Sequence, residues 1–496
     1  MTCFLGIDLG TSAVKAVIID EAEQVLASAT QPVPAPSQPL PHASEQAPEG
    51  WWQAVCTTLD SLAASHAPLM ARVRGIGLSG QMHGLALLDA EDRPVRPAML
   101  WNDGRAEREA EELQAEGEGL ARTLGVPAMA GLTAPKLLWL RRHEPEALDR
   151  ARRMLLPKDV IRLHLTGEAV TDVSDAAGTW LLDQAARQWS APAIARLGID
   201  PRLLPPIVES PTPTGMLRPE IAARFGFAPG VVVAGGAGDT LAGGLGIGVV
   251  EDGRGFVALG TSGQVFVATS RYQPAPAQAV HAFCHCLPGR WSAMAAMLNG
   301  ASALSAMARV GGSTDIAALL AEVEGGFRGP SPLLFLPYLT GERSPHNDPF
   351  ARGVLFGLGA EVSRVQMIQA VLEGVAFSLA DGVAALAAAG IAVGEVGFIG
   401  GGARSRLWAR IIASATGLTL GRFEGGAQGA AFGAARLGRM AAGGPLTAAQ
   451  PMVIETIEPE PALREAYLPR IEAYRGLYRA LAPEFRRERK AGSITQ

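Results

Sequence analysis

The sequence predicts an α/β protein with two similar halves, each built on a sheet that helices cover. The tetrapeptide Leu-Gly-Thr-Ser occurs at 9–12 and again at 259–262, and each copy stands between two apolar, strand-like runs. In both halves, other apolar runs end in glycine-rich loops that precede helical sequence, which is typical of α/β folds. A chain of 496 residues is long enough for two such domains.

The first half begins with three strands in a meander. Apolar runs occupy residues 3–8, 13–20 and 25–30, and short turns separate them. The run 76–80 predicts a further strand. Between 107 and 153, Leu, Ala, Arg and Glu recur at helical spacing, which predicts helices that cover a sheet face or form a lid.

An irregular segment is predicted before the last strand of this half. Prolines are densest between 201 and 229, and the apolar run 231–238 then predicts a strand that ends in glycines. The glycine-rich residues 243–248 follow. We therefore predict an N-terminal domain at 1–247 and a C-terminal domain at 248–496.

The second half repeats the opening pattern. Residues 255–259 and 264–268 predict strands around the second turn, and residues 396–399 predict a strand that runs into three glycines. Apolar residues at three- and four-residue spacing predict a closing amphipathic helix that packs on this half, namely Ile471, Tyr474, Tyr478 and Leu481.

Composition and charge exclude several classes of protein. The chain is 48% apolar and 18% charged, which is too apolar for a disordered protein. Its 43 basic and 48 acidic residues give a net charge of -5, so no general positive field would attract nucleic acid or an anionic membrane. Four cysteines cannot form a disulfide framework, and residues 1–8 lack a basic n-region. We expect a cytoplasmic protein with neither a nucleic-acid nor a membrane partner.

The two Gly-Thr-Ser turns are candidate phosphate sites. Glycine lets backbone N–H groups approach an anion, and the hydroxyls add donors. One turn in each half would hold a nucleotide from both sides, so we assign nucleotide binding to Gly10, Thr11, Ser12, Gly260, Thr261 and Ser262. The alternative is that each is only a tight hairpin turn. Lys15 either neutralises a phosphate or is a surface lysine.

Two aspartates are candidate catalytic groups. Asp8 ends the first strand directly before the first turn, where it would hold Mg²⁺ beside phosphates or else cap the turn. Asp239 follows a strongly apolar strand, at the position where α/β sheets present reactive groups. It can accept the proton of an attacking hydroxyl in phosphoryl transfer. The alternative is that Asp239 caps the following helix.

A third glycine loop follows the strand at 396–399. We assign nucleotide binding to its residues Gly400, Gly401, Gly402 and Ala403, because three glycines would let a ring or ribose lie against the backbone. A plain strand-to-helix turn is the alternative. No glycine loop has the Gly-x-Gly-x-x-Gly spacing, and no Walker A sequence is present, which excludes a Rossmann fingerprint and a P-loop kinase.

Two clusters of polar and aromatic residues suit a sugar. Gln81, Met82 and His83 follow one apolar run, and Trp101, Asn102 and Asp103 follow another. Each sugar hydroxyl must exchange water for a protein partner, and these amide, carboxylate and imidazole groups supply partners. In the alternative interpretation His83 is a structural histidine and Trp101 a core residue. His281 lies close to Cys284, His285 and Cys286, but no second ligand pair supports a zinc site.

Longer runs of the sequence resemble the FGGY carbohydrate kinases. One family signature is matched by Gly-Leu-Thr-Ala-Pro-Lys-Leu-Leu-Trp-Leu-Arg-Arg-His at 131–143, and the second by Gly-Val-Leu-Phe-Gly-Leu at 353–358, continuing through 366–373. Further matches make the resemblance nearly end to end, at 79–84, 100–105, 156–159, 174–179 and 341–347. The resemblance implies two ribonuclease-H-like domains, the fold of actin, sugar kinases and heat-shock ATPases, flanking a catalytic cleft.

The resemblance also implies an activity, the phosphorylation of D-xylulose at O5 by ATP, with Mg²⁺. Asp239 matches the catalytic base of the family, and Asp8 matches a carboxylate near the metal and phosphates. Met82 and His83 match substrate contacts, and Thr261 and residues 400–403 match nucleotide contacts. Dimerisation is common in the family, so a homodimer is an expectation.

Thr240 departs from the family pattern and bears on the choice of sugar. Members that phosphorylate D-xylulose often have Asn directly after the catalytic Asp, whereas Thr240 keeps a hydroxyl but lacks the amide. We expect Thr240 to contact the substrate, and D-ribulose, L-ribulose and D-arabinitol stay open as alternatives, with glycerol the weakest. An actin-like ATPase without sugar chemistry is the rival class, but it leaves the clusters at 81–83 and 101–105 unexplained.

Overall fold

The structure is a computed structural model that describes residues 1–115, 117–423 and 429–492. It contains two seven-stranded sheets with covering helices, one sheet in each half of the chain. The prediction of a two-half α/β protein is confirmed.

The first half contains fifteen described strands and ten described helices. Strands β1 to β15 lie, in order, at Cys3–Leu9, Ala13–Asp20, Val25–Pro32, Glu45–Gln46, Val73–Gly80, Ala86–Leu88, Ala98–Met99, Arg153–Leu155, Thr171–Asp172, Leu182–Asp183, Gln188–Trp189, Ile207–Val208, Pro213–Met216, Val232–Ala234 and Ala237–Gly238. Helices α1 to α10 lie at Pro48–Met70, Glu107–Gln114, Glu118–Leu124, Thr133–His143, Pro145–Arg150, Pro157–Thr166, Val173–Ala176, Ala191–Leu197, Pro219–Phe225 and Asp239–Gly246.

The second half contains nine described strands and six described helices. Strands β16 to β24 lie at Gly255–Leu259, Gly263–Thr269, His281–Cys284, Trp291–Met297, Leu334–Leu336, Val354–Phe356, Val396–Ile399, Leu420–Phe423 and Val453–Ile457. Helices α11 to α16 lie at Ala301–Val310, Ile316–Gly326, Arg364–Ala388, Arg406–Thr416, Gly429–Ala441 and Pro461–Gly492.

The two large sheets share one topology. The first has the order β13-β14-β5-β1-β2-β3, with β15 also paired to β5, and the second has the order β24-β23-β22-β16-β17-β19-β18. In both, the opening strand pairs antiparallel with its hairpin partner and parallel with the strand on its other side. The duplication that the repeated turn predicts therefore extends to the whole sheet.

The proline-rich segment at 201–229 is more regular than predicted. It contains α9 and β13, and β13 pairs antiparallel with β14 at the edge of the first sheet. Pro213 begins this strand, and an edge strand tolerates a residue that cannot donate to the ladder. The expectation of an irregular excursion is wrong for residues 213–216, because proline there marks a sheet edge.

Apolar side chains form one large core in each half and a third between the halves. The third contains Leu241 and Leu245 of α10, Phe256 and Phe266 of the second sheet, and Leu437 of α15. The closing helix α16 packs on the second half through Tyr467, Ile471, Tyr474 and Tyr478, so the prediction of an amphipathic C-terminal helix is confirmed.

Helix α15 follows the second half in sequence but packs on the first sheet. It crosses β1 and β5, where Gly6, Gly75 and Gly77 present no side chains, and a Cβ on Gly77 would overlap the carbonyl oxygen of Ala434. Conversely, α10 of the first half packs against Phe256 and Phe266 of the second sheet through Gly244. Each half therefore holds a helix that the other half supplies.

The Gly433→Ala variant is expected to destabilise the protein by ~1–3 kcal/mol, because α10 and α15 are in backbone contact there. A Cβ on Gly433 would overlap the carbonyl oxygen of Ala242. Gly243→Ala in α10 is the matched control, since its Cβ would meet no described atom within 4 Å. Alanine's higher helix propensity should stabilise that control by up to ~1 kcal/mol. Urea unfolding measures both, and equal effects would contradict this crossing.

Helix α13 is the one described helix long and apolar enough to cross a membrane by length and composition. Its most apolar stretch is 83% buried inside the protein, which is typical of a core helix.

Candidate active site

A cavity of about 1000 Å³ lies between the two halves. Thr11, Met82 and Asp239 of the first half line it, and Thr261 and Ser262 of the second half face them. Strands β1 and β15 both run parallel to β5, so the carboxyl ends of all three meet at the edge that faces the cavity. The predicted cleft is therefore present, with residues from both halves on its walls.

Asp239 lies at the start of α10 and lines this cavity. It is not the N-cap of the helix, because Gly238 holds that position. The Thr240 N–H donates to Asp239 Oδ1 at 2.7 Å, and the Thr240 hydroxyl lies 3.4 Å from the same oxygen. Burial, followed by the charge of Asp8, raises the pKa of Asp239 to about 7, although the Thr240 donors lower it. Asp239 can therefore take up or release a proton near neutral pH.

Asp8 lies on β1 opposite Lys15 of β2 and Ser79 of β5. Burial raises the pKa of Asp8, against Ser79 and Lys15, which lower it. Among the residues that the structure describes, its buried Oδ1 has no hydrogen-bond donor. A buried carboxylate oxygen is costly without a partner, so this atom is suited to a cation.

The unpartnered Oδ1 of Asp8 fits a Mg²⁺ ion, and Asp239 lies nearby. Mg²⁺ is usually held by one or two carboxylates together with phosphates and waters. Asp8 and Asp239 are close enough for the charge of one to raise the pKa of the other. In the described ranges, no group of three or more His, Cys, Asp or Glu residues could form a cage for a metal.

Thr11 connects the first Gly-Thr-Ser turn to the polar clusters. Its hydroxyl donates to Gln81 Oε1 at 2.9 Å and accepts from Trp101 Nε1 at 3.0 Å. Gln81 is 2% exposed and lies behind Thr11, outside the lining of the cavity. The Gly10 N–H closes the turn by donating to the Ala13 carbonyl at 3.0 Å, and Ser12 is exposed.

The second Gly-Thr-Ser turn and the Gly400 loop lie side by side. Strands β16 and β22 are parallel, so both loops leave the same edge of the second sheet. A Cβ on Gly400 would lie 2.6 Å from the carbonyl oxygen of Leu259, directly before the turn. Gly401 faces open space, and no described atom lies within 4 Å of its Cβ position. Gly400 and Gly401 therefore border an open surface beside Gly260 and Thr261. Gly402 and Ala403 are buried against the second-half core, so their side of the loop does not face a ligand as predicted.

His83 lines the cavity in a left-handed backbone conformation, with φ of 67°. Its Nδ1 lies 2.6 Å from the Gly178 carbonyl, which makes Nδ1 the protonated nitrogen and leaves Nε2 as an acceptor. Burial lowers the pKa of His83 to about 3, although the Gly178 carbonyl raises it. Lys136 Nζ donates to the His83 carbonyl at 2.9 Å and fixes this backbone. The imidazole is thus a neutral, oriented acceptor.

Trp101, Asn102 and Asp103 also border the cavity, but they differ in their freedom to bind a ligand. Asp103 accepts from the Ser44 N–H at 2.9 Å and from the Arg105 guanidinium at 2.7 and 3.0 Å. Asn102 is exposed. The structure therefore brings Asp239, Thr11, Met82, His83, Thr261 and Ser262 to one cleft, while Gln81 and Asp103 mainly brace it. Asp8 is outside the lining of the cavity, but it lies close enough to Asp239 to raise the pKa of that carboxyl.

A buried charge cluster behind the cavity received no role in the sequence prediction. Lys158 Nζ lies 2.7 Å from Asp159, 2.9 Å from Asp172 and 3.1 Å from Asp175. Arg162 donates to the carbonyls of Ala234 and Gly235, between β14 and β15. This cluster holds the loop that leads to Asp239. The run Leu-Pro-Lys-Asp at 156–159 was a signal for it, because it holds Lys158 and Asp159, but the other two carboxylates, Asp172 and Asp175, lie outside this run.

Two further residues that line the cavity were not assigned to the sugar site from the sequence. Arg343 follows β20 and His281 begins β18, and both side chains line the wall that the second half supplies. Sequence reasoning considered His281 only as a metal ligand. His285 instead lies 3.0 Å from the Val249 carbonyl, and the Cys286 Sγ lies 3.6 Å from the Leu241 carbonyl.

Comparison with known proteins identifies the family of the chain. The N-terminal domain of the FGGY family of carbohydrate kinases matches residues 3–246, and its C-terminal domain matches residues 255–442. A xylulose kinase from Escherichia coli (strain K12) is 43% identical over 484 residues, which covers 97% of this chain and 99% of the relative. A xylulose kinase from Klebsiella pneumoniae is 42% identical over 438 residues, covering 88% of this chain and 90% of that protein.

A solved structure gives the same result for the fold. The crystal structure of a xyloylose kinase from Brucella ovis superimposes with a TM-score of 0.93 at 46% sequence identity, covering 97% of this chain and 99% of that one. Both domain matches, the full-length relatives and the cleft between duplicated sheets lead to one conclusion. This chain belongs to the FGGY family of carbohydrate kinases.

Proposed function

We propose that this chain phosphorylates D-xylulose at O5 with ATP, giving D-xylulose 5-phosphate and ADP. The observation that carries the proposal is Asp239, a carboxylate with a pKa of about 7 that lines a cleft between two Gly-Thr-Ser turns. The relatives of this chain from Escherichia coli and Klebsiella pneumoniae are xylulose kinases, which supports the choice of D-xylulose as the sugar.

The sugar occupies the first-half wall of the cleft. His83 offers a neutral acceptor for a sugar hydroxyl, and Met82 packs beside it against Gly238. Trp101, Asn102, Asp103 and Thr240 complete this wall. Gln81 acts through Thr11 and Gln46, to which it is hydrogen-bonded.

The nucleotide lies against the glycine elements of both halves. Gly260, Thr261, Ser262 and residues 400–403 border the second sheet, and Gly10, Thr11, Ser12 and Lys15 approach the phosphates from the first. Asp8 would hold Mg²⁺ through its unpartnered Oδ1, with Asp239 nearby. A bound Mg²⁺ supplies positive charge that offsets the phosphate oxygens.

Asp239 acts as the general base. Its ionised carboxylate accepts the O5 proton while O5 bonds to the γ-phosphorus of ATP and the bond from that phosphorus to the β–γ bridging oxygen breaks. Thr240 orients the carboxylate through its N–H at 2.7 Å. Closure of the two halves around the sugar excludes water, which would otherwise compete as the nucleophile.

Coupled ADP release with Mg-ATP tests the proposal, over D-xylulose, D-ribulose, L-ribulose, D-arabinitol, xylitol, glycerol and no sugar. Strong stimulation by D-xylulose is expected, with little turnover when sugar is absent. Stimulation by another pentulose or pentitol alone would keep the kinase and change its substrate. An ATPase that no sugar stimulates would favour the actin-like rival.

Three further expectations belong with this proposal. We place the domain boundary between residues 247 and 248, which falls between the two family matches. All four cysteines are free thiols, which supports a reducing, cytoplasmic location. A homodimer stays an expectation, and sedimentation of the purified chain would measure it.

A further inference from the structure

One face of the second sheet forms a wall of the sugar cavity. His281 and Phe283 stand two positions apart on β18, so their side chains share one face of the sheet, and Ser292 and Met294 do the same on the neighbouring strand β19. His281 pairs with Met294, and Phe283 pairs with Ser292. All four residues line the cavity, so this face of the sheet borders the cavity.

His281 is a buried imidazole without a protein partner. It is 2% exposed, and neither Nδ1 nor Nε2 has a hydrogen bond within the part of the chain that the structure describes. Its one ring contact is the edge of Phe283, with centroids 5.3 Å apart. Burial, Arg343 and His83 lower the pKa of His281 well below its usual range, so the ring is neutral. A neutral imidazole carries one donor and one acceptor, and both are open here.

Arg343 reaches the same cavity from a loop that is held rigidly. The next residue, Ser344, donates its N–H to the Ala296 carbonyl at 2.9 Å and accepts from the Ala296 N–H at 3.0 Å. Glu342 accepts from the Leu298 N–H at 2.7 Å and from the Arg343 N–H at 2.8 Å. The backbone on both sides of Arg343 is therefore fixed to β19 and the residues that follow it.

The guanidinium of Arg343 is directed across the cleft toward the first half. A Cβ on Gly131 would lie 3.6 Å from Arg343 Nη2, and Gly131 belongs to the segment that carries the Lys136 contact to His83. Burial lowers the pKa of Arg343, against the nearby charge of Glu342. Among the described residues, no hydrogen bond or ion pair of this guanidinium is found, and it lines the cavity. The guanidinium thus offers N–H donors, which the described part of the chain does not use, to a molecule that fills the cavity.

The two side chains match different parts of a ketose. A carbonyl oxygen only accepts hydrogen bonds, and a guanidinium only donates them. A sugar hydroxyl both donates and accepts, as a neutral imidazole does. Asp239 serves the hydroxyl that is phosphorylated, and His83 offers only an acceptor at Nε2. Of these three groups, Arg343 is the one that only donates hydrogen bonds, so it suits a carbonyl oxygen.

We propose that Arg343 and His281 are specificity-determining residues that the second half brings to the sugar. Arg343 donates to the carbonyl oxygen of a ketopentose, and His281 exchanges hydrogen bonds with a neighbouring hydroxyl. The sugar thereby bridges the two halves, and a ketose is preferred to the pentitol that differs from it only at that carbon. This inference rests on the proposed function, because it assigns more contacts to the same sugar.

Calorimetric titration without nucleotide tests the proposal, with D-xylulose and xylitol as the two ligands. Arg343→Gln is expected to weaken D-xylulose binding by ~10- to 100-fold and xylitol binding much less, because a hydrogen bond from a charged donor is lost. Arg343→Lys should recover part of the loss. His281→Phe is expected to weaken both ligands by a similar factor, because both keep the hydroxyl.

Arg352→Gln is the matched control. Arg352 is exposed beyond the same loop, and among the residues with described positions its side chain bonds only the Pro349 and Ala351 carbonyls. Steady-state kinetics should show the Arg343→Gln defect in KM for D-xylulose and not in KM for ATP. Equal loss of both ligands in Arg343→Gln, no loss, or a raised KM for ATP would overturn the proposal. A wild-type chain that D-xylulose fails to stimulate would instead overturn the proposed function.

Discussion

Asp239→Ala is expected to lose about 10²- to 10⁴-fold in kcat while KM for D-xylulose changes little, because the variant lacks the group that takes the O5 proton. The carboxylate stands at the start of α10, where Thr240 orients it and the sugar cavity opens in front of it. Steady-state ADP release measures the loss. Near-normal turnover of Asp239→Ala would remove Asp239 from the role of base.

The same residue sets the expected pH dependence. Burial and the charge of Asp8 raise the pKa of Asp239 to about 7, and the base must be ionised to accept a proton. The kcat/KM for D-xylulose should therefore fall as pH drops through 7 and level off above it. A profile that is flat between pH 6 and 8 would disagree with this assignment.

Asp239 should also lower the free energy of unfolding at high pH. Its folded pKa of about 7 lies above the ordinary value of 3.8, so its contribution to stability is present below pH 4 and is lost as pH rises through 7. Asp239→Asn should consequently unfold at a higher temperature than the wild type at pH 8, and the difference should vanish near pH 4. An inactive but more stable variant separates the loss of a base from a loss of folding.

The Lys158→Met variant is expected to lose about 3–5 kcal/mol of unfolding free energy, because it leaves buried carboxylates without their cation. Lys158 is 1% exposed in its side chain and lies within 3.1 Å of Asp159, Asp172 and Asp175. Burial already holds the pKa of Asp175 well above its usual range. Asp175 of the variant should therefore take up a proton as pH falls, and the deficit should shrink between pH 8 and pH 5.

Arg93→Met is the matched control for that prediction. Arg93 pairs with Asp89 at 3.0 Å and Glu91 at 2.8 Å, but its side chain is 70% exposed. Exposed ion pairs contribute up to about 1 kcal/mol, so this control should be nearly neutral in urea unfolding. If both variants lost the same small amount, the buried cluster would not stabilise the wall behind Asp239.

The duplication of the sheet was predictable because a strand–turn–strand pattern that is local in the sequence occurs once in each half. Strand runs on each side of Gly10 and Gly260 establish two hairpins, and a hairpin is specified by neighbours in the chain. The positions of Asp8 and Asp239 at the edge of the sheet were also predictable, because a strand that ends at a turn brings its last residues to that edge. The alternative that Asp239 caps α10 is wrong, since Gly238 is the N-cap.

The exchange of helices between the halves was not predictable from local patterns. Helix α15 packs on a sheet that begins more than 400 positions earlier in the chain, and its contact depends on small residues on both surfaces. Glycine at alternate positions of β5, Gly75 and Gly77, was a signal, because alternate residues of a strand share one face. Such a pattern indicates a close backbone approach but does not say which helix makes it.

The position of Arg343 and His281 on the cavity wall was not predicted from the sequence, for a related reason. They reach the cavity from a loop and a strand of the second half, and only the paired strands β18 and β19 and the loop anchored to β19 place them opposite His83. Single-sequence reasoning assigns a residue by its neighbours, and His281 has two cysteines nearby. The sequence does not show which groups surround the ring of His281, so it could not predict that the ring nitrogens lack hydrogen-bond partners among the described residues.

The position of the transferred phosphate tests the central claim most directly. The wild-type chain would be incubated with Mg-ATP and D-xylulose labelled with ¹³C at C5, and the product examined by ¹³C and ³¹P NMR. We predict carbon–phosphorus coupling at C5, with one ADP formed for each sugar phosphate. Phosphate on a different oxygen, or inorganic phosphate as the only product besides ADP, would contradict a cleft that delivers O5 to Asp239.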